Sequence, residues 1–225
     1  MLYIVATPIG NLKDITLRAI ETLKACDFII AENPRHSLNL LKHYEVPSKK
    51  IIQFADHNEQ RVLSSIIHQL STQNAALITD AGTPGISDPG FRLVRECVKE
   101  NIQVVPIPGP SAAVAALSAS GLPTDRFLFL GFLQRTENKV VKALTQAKEV
   151  EATAVFYESP FRIQKTLQFI ASNFPEARVI VARELTKLYE EFLRGAPSEA
   201  LRQVTKDKLR GEFTVLVSFK EPKVR

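Results

Sequence analysis

The chain has 225 residues, of which 45% are apolar and 24% are charged, enough for one large domain or two of roughly 100 residues. No apolar run reaches the roughly 20 residues of a membrane helix, so we expect a cytoplasmic protein with no membrane partner. Lys and Arg outnumber Asp and Glu by 29 to 24, which permits an anionic partner without requiring one. The absence of Trp and the presence of only four Tyr argue against an aromatic stacking platform for single strands.

The first half of the chain alternates short apolar runs with amphipathic segments. The apolar runs predict buried strands at residues 2–7, 28–32, 51–54, 75–80 and 103–107. Helical spacing of apolar residues predicts helices at 15–26, 34–44, 59–70 and 89–100, with Asp14 capping the first and Asp88-Pro89 starting the last. Continuous apolar strands that alternate with helices indicate a parallel sheet covered by helices on both faces. Cys26 and Cys97 lie inside these helical patterns without a CxxC or His partner, which predicts buried reduced thiols rather than a metal site.

The pattern changes after the stretch PIPGPSAAVAALSASG at 106–121, with the join near 108–124, and the second half combines strands and helices differently. Strands are predicted at 127–133, 152–159, 178–184, 190–195 and 212–219, and helices at 139–149, 160–174 and 197–208. The gap between 184 and 190 is too short for a crossover helix, so that pair of strands is predicted to be antiparallel and the second sheet mixed. The sequence therefore predicts two α/β domains, at 1–112 and 113–225, with a loose tail at 221–225.

Gly- and Pro-rich loops follow three of the predicted strands in the first half. They read TPIGN at 7–11, DAGTPGISDPG at 80–90 and PGPSA at 108–112. Ligands of parallel sheets bind outside the carboxyl ends of the strands, so three such loops predict a ligand crevice there. The third loop opens a helix of small side chains, whose free N–H groups favour an anionic or polar ligand group. None of the loops matches GxGxxG or a Walker pattern, which argues against a standard dinucleotide or P-loop site.

Long blocks of sequence, in order from Leu2 to Phe219, carry a family resemblance. They are LYIVATPIGNLKDITLRAIETLK, DAGTPGISDPGFRLVRE, VVPIPGPSAAVAALSASGLPTDRFLFLGFL, FYESPFRI and VARELTKLYEEFLRG. These blocks resemble the ribosomal RNA small-subunit methyltransferase I family, one of the tetrapyrrole methylase-like (class III) methyltransferases that use S-adenosylmethionine. The resemblance implies a homodimer of two-domain α/β chains with the methyl donor in the cleft between the domains. It also implies 2′-O-methylation of a cytidine ribose in the decoding region of 16S rRNA.

The resemblance assigns donor-binding positions residue by residue. From the first half they are Pro8, the long-loop residues Asp80, Gly82, Thr83 and Ile86 against the methionine part, and Ser111 and Ala112. From the second half they are Phe132, Tyr157 and Leu185, which hold the adenosine. The chain departs from the family at AENPRHS, where members usually carry Glu-Asp-Thr-Arg-His, so that Asn33 replaces a carboxylate and Pro34 removes a hydroxyl and a backbone donor. Family members also typically continue into a short helical C-terminal extension, beyond the point where this chain stops.

Methyl transfer from a sulfonium to a ribose hydroxyl needs alignment of the reacting atoms and a proton acceptor, but no metal. The catalytic residues predicted from the strand ends are Glu32, Arg35, His36 and Glu158, with Glu32 or Glu158 as the proton acceptor and Arg35 holding a phosphate. Ion pairing, helix capping or turn closure would explain the same residues without catalysis. Further strand-end candidates are His57, Glu59, Arg183 and Glu184.

Basic residues in both halves would add a diffuse attraction for RNA rather than base reading. They are Lys42, Lys49, Lys50, Arg162, Lys165, Arg202, Lys206, Lys208 and Arg210.

The sequence blocks that carry the family resemblance favour an rRNA methyltransferase. Two alternatives stay open: a methyltransferase of the same fold that acts on a small acceptor such as a tetrapyrrole, and a donor-binding, ribosome-associated protein without turnover.

Overall fold

The first compact unit of the chain, Met1–Ser111, is built on one five-stranded sheet. The computed structural model describes residues 1–220, so the predicted tail at 221–225 lies outside the described residues. The strands of this sheet are β1 (Leu2–Val5), β2 (Phe28–Ala31), β3 (Lys50–Gln53), β4 (Ala75–Ile78) and β5 (Val104–Ile107). Its helices are α1 (Leu17–Ala25), α2 (Pro34–His43), α3 (Glu59–Leu70) and α4 (Phe91–Lys99).

All strand pairs of the first sheet are parallel, in the order β3-β2-β4-β1-β5. Alternate residues of β2 enter different cores, because successive side chains of a strand point to opposite faces. Phe28 and Ile30 pack with side chains of α3 and α4, whereas Ile29 and Ala31 pack with side chains of α1 and α2. Helices therefore cover both faces, as predicted. Both cysteines are buried and free, which confirms the predicted thiols.

The second unit begins at Ala112 and contains a mixed five-stranded sheet. Its strands are β6 (Phe127–Phe132), β7 (Thr153–Glu158), β8 (Arg178–Arg183), β9 (Glu191–Gly195) and β10 (Phe213–Ser218). Its helices are α5 (Ala112–Ser118), α6 (Glu137–Glu149), α7 (Ile163–Asn173) and α8 (Pro197–Gln203). The order is β6-β7-β10-β8-β9; β6 and β7 are parallel, and the other pairs are antiparallel. The predicted β8–β9 hairpin and the predicted fold class are confirmed. The predicted domain limits stay a prediction, because grouping by contacts does not test independent folding.

Three predicted helix ends were wrong, each for a local reason. Asp14 belongs to a 3-10 turn, Leu12–Asp14, and the hydroxyl of Thr16 caps α1 by accepting a hydrogen bond of 3.2 Å from the amide of Ala19. Asp88-Pro89 does not start α4, because Gly90 occupies the N-cap position at φ 143°. The predicted helix at 197–208 ends at Gln203 and is followed by a separate 3-10 turn, Lys206–Lys208.

Candidate active site

The three Gly- and Pro-rich loops follow β1, β4 and β5, which are neighbours in the first sheet. Because these strands are parallel, their carboxyl ends lie at the same edge. The strand order therefore brings the three loops together, as the sequence predicted. This edge of the first unit is the candidate active site.

Hydrogen bonds join the three loops to one another. The amide of Thr7 donates to the carbonyl of Gly82 at 2.9 Å, and the amide of Gly82 donates back to the carbonyl of Thr7 at 3.0 Å. The hydroxyl of Thr7 donates to the carbonyl of Thr79 at 3.1 Å, and the hydroxyl of Thr83 donates to the carbonyl of Pro110 at 3.2 Å. These bonds hold the loops as one layer above the strand ends, which is the preorganisation that a ligand site needs.

Two glycines of this layer could not be replaced by another residue without strain, for different reasons. Gly82 has φ +81°, a left-handed conformation that side-chain-bearing residues rarely adopt. A Cβ on Gly109 would lie 2.9 Å from the Cβ of Ala6, so the third loop passes directly over the end of β1. A left-handed backbone at Gly82 and close packing at Gly109 thus explain two of the glycines in these loops.

The structure brings most of the first-unit residues predicted for the donor to this layer. Pro8 and Gly82 are buried, Thr83 and Ser111 are partly buried, and Ile86 exposes 49% of its surface. A buried frame with an exposed apolar side chain at its rim is typical of ligand loops. Their contact with a methyl donor stays a prediction.

Two titratable residues predicted from the strand ends, Glu32 and His36, meet Asp80, which was predicted for the donor, at the neighbouring end of β2. The amide of Asp80 donates a hydrogen bond of 3.3 Å to Oε2 of Glu32. Nδ1 of His36 lies 3.5 Å from Oδ1 of Asp80. Arg35 is exposed on the first turn of α2. Glu32, His36 and Asp80 therefore form one cluster, with Arg35 at its solvent side.

Burial raises the pKa of the Glu32 carboxyl, and the charges of Asp80 and Asp56 add to that rise. The amide of Asp80 and the imidazole of His36 oppose the rise by stabilising the charged form. Glu32 is thus a carboxylate at a ligand edge whose proton affinity is increased, a common property of groups that transfer protons.

Asp88 is a member of this cluster that sequence reasoning missed, because Asp88-Pro89 was assigned to a helix start. Burial, followed by repulsion from Glu32, raises the pKa of Asp88 to about 6. Asp80 and Asp56 add to the rise, and the hydroxyl of Thr79 opposes it. The sequence did contain a sign of this cluster, because four acids lie close after a strand or at the end of the long loop. They are Glu32, Asp56, Asp80 and Asp88.

One polar atom of this cluster, Oδ1 of Asp80, is buried without a hydrogen bond of normal geometry. The contact of His36 with Oδ1 of Asp80, at 3.5 Å, lies outside hydrogen-bonding geometry. Buried polar atoms without a partner are rare in folded proteins, and they indicate a ligand or an ordered water.

The second unit places its predicted donor residues at one edge of its own sheet. Phe132 and Tyr157 are partners across β6 and β7, with ring centroids 5.7 Å apart at 62°. Leu185 follows β8, and β10 is antiparallel to both β7 and β8, so β6, β7 and β8 end at the same edge. Phe132 exposes 57% of its surface, which suits contact with a planar group. These residues stay predictions for adenosine.

Glu158 is buried at the end of β7, with both carboxylate oxygens in use. Oε1 accepts a hydrogen bond of 2.8 Å from the amide of Ser159. Oε2 accepts bonds of 2.6 Å from the hydroxyl of Thr166 and 3.2 Å from Nη2 of Arg162. This carboxylate joins β7 to α7, so its geometry favours a structural role, and its catalytic role stays a prediction.

Three of the four remaining strand-end candidates form ion pairs of their own. Glu59 lies 2.8 Å from Arg92, Arg183 lies 3.1 Å from Glu191, and Glu184 lies 2.9 Å from Lys187. His57 is exposed just before α3. Ion pairing accounts for the positions of Glu59, Arg183 and Glu184 without catalysis.

Asn33 and Pro34 begin α2 in a regular way. Oδ1 of Asn33 accepts a hydrogen bond of 3.5 Å from the amide of His36, and Pro34 occupies the first turn, where its missing N–H is not needed. The departure from the family pattern at these positions therefore keeps the helix start that presents Arg35 and His36.

Comparison with known proteins gives the family. A family model described as tetrapyrrole (corrin/porphyrin) methylases matches residues 1–200. The ribosomal RNA small subunit methyltransferase I of Halalkalibacterium halodurans is 46% identical over 224 residues, covering 99% of this chain and 77% of that protein. The protein of the same name from Escherichia coli O157:H7 is 47% identical over 221 residues, covering 96% of this chain and 77% of that protein. A crystal structure of diphthine synthase has a TM-score of 0.75 at 12% identity, covering 96% of this chain and 89% of that chain.

The chain belongs to the tetrapyrrole methylase family. The resemblance predicted from the sequence blocks is thus confirmed, and the likeness to diphthine synthase supports the fold. Every helix in the described part of the chain is too short or too polar to span a bilayer. Residues 1–220 contain no group of three or more His, Cys, Asp or Glu placed to hold a metal ion.

Proposed function

We propose that this chain is an S-adenosylmethionine-dependent methyltransferase that methylates the 2′-hydroxyl of a cytidine ribose in small-subunit ribosomal RNA. The observation that carries the proposal is the 46% identity over 99% of the chain to a protein named ribosomal RNA small subunit methyltransferase I. The fold alone would not select an acceptor, since one fold hosts many functions. A homodimer that works in the cytoplasm is part of the proposal.

The residues of the loop layer fit a donor with a positively charged sulfonium and ammonium. The buried, unpartnered Oδ1 of Asp80 can accept a hydrogen bond from a cation, and the carboxylates around it attract positive charge. Gly82 adopts a left-handed conformation and Gly109 lies close to Ala6, and both features hold the loops in this layer. S-adenosylmethionine supplies an electrophilic methyl group when bound. The full set that we propose for it is Pro8, Asp80, Gly82, Thr83, Ile86, Ser111, Ala112, Phe132, Tyr157 and Leu185.

Glu32 is the proton acceptor that we propose for the ribose hydroxyl. Its raised pKa brings it closer to neutral pH, where a general base is more effective. Its Oε2 is oriented by the amide of Asp80, so the carboxylate is held by the same loop that is proposed for the donor. His36 stands beside Asp80, and the exposed Arg35 is free to pair with a phosphate next to the reacting ribose.

Incubation with labelled S-adenosylmethionine and small ribosomal subunits that lack the modification tests the proposal. We expect label on one ribose of 16S rRNA, mapped after nuclease digestion, and none on subunits already modified there. Label transferred to a tetrapyrrole acceptor instead would identify a small-molecule enzyme. Calorimetric binding of the donor with no labelled product would identify a binding protein, and either result would overturn the proposed function.

A further inference from the structure

The second unit carries an exposed aromatic side chain that the proposed donor and catalytic sites do not use. Phe161 lies between β7 and α7 and exposes 95% of its surface, more than any other large apolar side chain among residues 1–220. Exposing a whole phenyl ring to water gives up the stabilisation that burial would provide. A ring left outside the core in this way is typical of a side chain that contacts a partner.

Two adjoining hollows lie against Phe161, with volumes of about 370 Å³ and about 750 Å³. Both are lined by Phe161, Lys165 and Phe169, which makes them parts of one surface. Arg135 lines the first hollow and Arg202 lines the second. We call these five residues the Phe161 surface. Its volumes lie in the range of sites that hold groups of small-ligand size.

The charge on the Phe161 surface is positive and largely uncompensated. Arg135, Lys165 and Arg202 are exposed, and none of them forms an ion pair within residues 1–220. Lys165 instead places its ammonium 5.6 Å from the centre of the Phe169 ring. Glu137 is the acid in the lining, and its Oε1 accepts a hydrogen bond of 2.8 Å from the side-chain amide of Asn173.

Three other basic residues predicted to attract RNA are engaged by groups of the protein itself. Lys50 donates a hydrogen bond of 2.7 Å to Oε1 of Gln69. Lys208 lies 2.6 Å from Oε2 of Glu191, and Arg162 lies 3.2 Å from Oε2 of Glu158. Lys165 and Arg202 differ from these three because they retain free charge beside an exposed ring.

We propose that the Phe161 surface binds an unpaired segment of the RNA substrate, with one base stacked on Phe161 and phosphates paired with Arg135, Lys165 and Arg202. The inference rests on the proposed function and adds where the RNA is held. Every base offers a π-face, so stacking on an aromatic ring does not require a particular sequence. Basic side chains beside the ring pair with the backbone phosphates of the same segment.

The positive charge argues against a second copy of this chain as the occupant. A twofold-symmetric dimer built on this surface would bury the same patch of both chains and so bring two sets of Arg135, Lys165 and Arg202 into one interface. Like charges placed together across an interface disfavour association.

The lack of Trp in this chain disfavours an extended platform on which several bases stack, but one exposed Phe is sufficient to stack one base.

Fluorescence anisotropy with a labelled single-stranded RNA of about 12 nucleotides tests the inference. We expect Phe161→Ala to weaken binding roughly 5- to 100-fold, and Phe161→Tyr to bind nearly as the unchanged protein does. Phe91→Ala is the matched control, because Phe91 is 65% exposed in the first unit and also has an Arg, Arg95, at 5.7 Å from its ring. Lys165→Ala should reduce the slope of log affinity against log salt by about 0.7.

The outcomes separate this inference from the proposed function. Equal RNA affinity for Phe161→Ala and the unchanged protein would overturn the inference while labelled 16S rRNA would still support the function. A change in the monomer–dimer equilibrium of Phe161→Ala by sedimentation, with unchanged RNA affinity, would assign the surface to a protein interface and overturn the inference. Phe161→Ala should unfold at the same urea concentration as the unchanged protein, since its ring is outside the core.

Discussion

The amide of Asp80 donates a hydrogen bond of 3.3 Å to Oε2 of Glu32 and so joins the ends of β4 and β2, which are neighbours in the first sheet. The loop that follows β4 carries four of the residues proposed for the methyl donor, and the residue that follows β2 is the proposed base. A single backbone donor therefore fixes the distance between the two. Alignment of reacting groups by rigid backbone is the main way in which a methyl-transfer site lowers its barrier.

Glu32→Gln tests the proposed base. The amide keeps the shape of the side chain but cannot take up a proton, so we expect kcat for 16S rRNA to fall by roughly 10²- to 10⁴-fold. Donor affinity measured by calorimetry should fall far less than kcat, because the loop layer and the Asp80 carboxylate are retained. An unchanged kcat would remove Glu32 from the mechanism.

Glu158→Gln is predicted to affect stability rather than turnover. The carboxylate accepts hydrogen bonds from Arg162 and Thr166 in a buried site, and the amide can satisfy only part of them. We expect the free energy of unfolding to fall by about 1–3 kcal/mol in urea titrations. The folded variant should methylate at nearly the unchanged rate, and a loss of kcat comparable to that of Glu32→Gln would identify Glu158 as the proton acceptor instead.

The raised pKa of Asp88 predicts how the free energy of unfolding depends on pH. Its pKa is about 6 in the folded chain against 3.8 for an ordinary aspartate, so between these values the native state binds more protons than the unfolded state. Stability therefore falls as the pH rises through this window, and the cost of the charged carboxylate is fully present above it. Asp88→Asn removes that cost, and because solvent screens this partly exposed carboxyl, we expect a gain of about 1–2 kcal/mol near pH 8.

Urea titrations of Asp88→Asn and the unchanged chain at several pH values measure this effect. The gain should shrink to about half by pH 5, where the native carboxyl is already mostly protonated. Asp27→Asn provides a comparison at an acid outside the cluster, where Oδ2 accepts a hydrogen bond of 2.7 Å from the amide of Asn74. A gain for Asp88→Asn that does not vary with pH would mean that its carboxyl is not the titrating group.

Gly109→Ala tests the close approach of the third loop to β1. The new Cβ would meet the Cβ of Ala6 at 2.9 Å, so we expect a loss of about 1–3 kcal/mol and weaker donor binding. The double variant Ala6→Gly with Gly109→Ala restores the space and should recover part of both losses. Purely additive effects in this cycle would show that the two positions do not press on each other.

Local periodicity was sufficient for the elements of this chain. The apolar run at 28–31 predicted a strand, and the helical spacing of apolar residues over 59–70 predicted a helix. Both patterns can be recognised within a few consecutive residues. The same local signals located the Gly-rich loops, and the long sequence blocks gave the family. The ends of helices were less predictable, since a cap at Thr16 or Gly90 depends on a single side chain or a single φ angle.

The tertiary structure decided which of these strand ends and loops lie next to one another. The order β3-β2-β4-β1-β5 places Glu32 beside Asp80, although 48 residues separate them along the chain. It also gives Asp88 its raised pKa, and it gives Glu158 the partners that make this carboxylate structural. The sequence by itself determined elements, loops and family, because these follow from local pattern. Only the fold decided the roles of the carboxylates, because charge interactions and burial act through space.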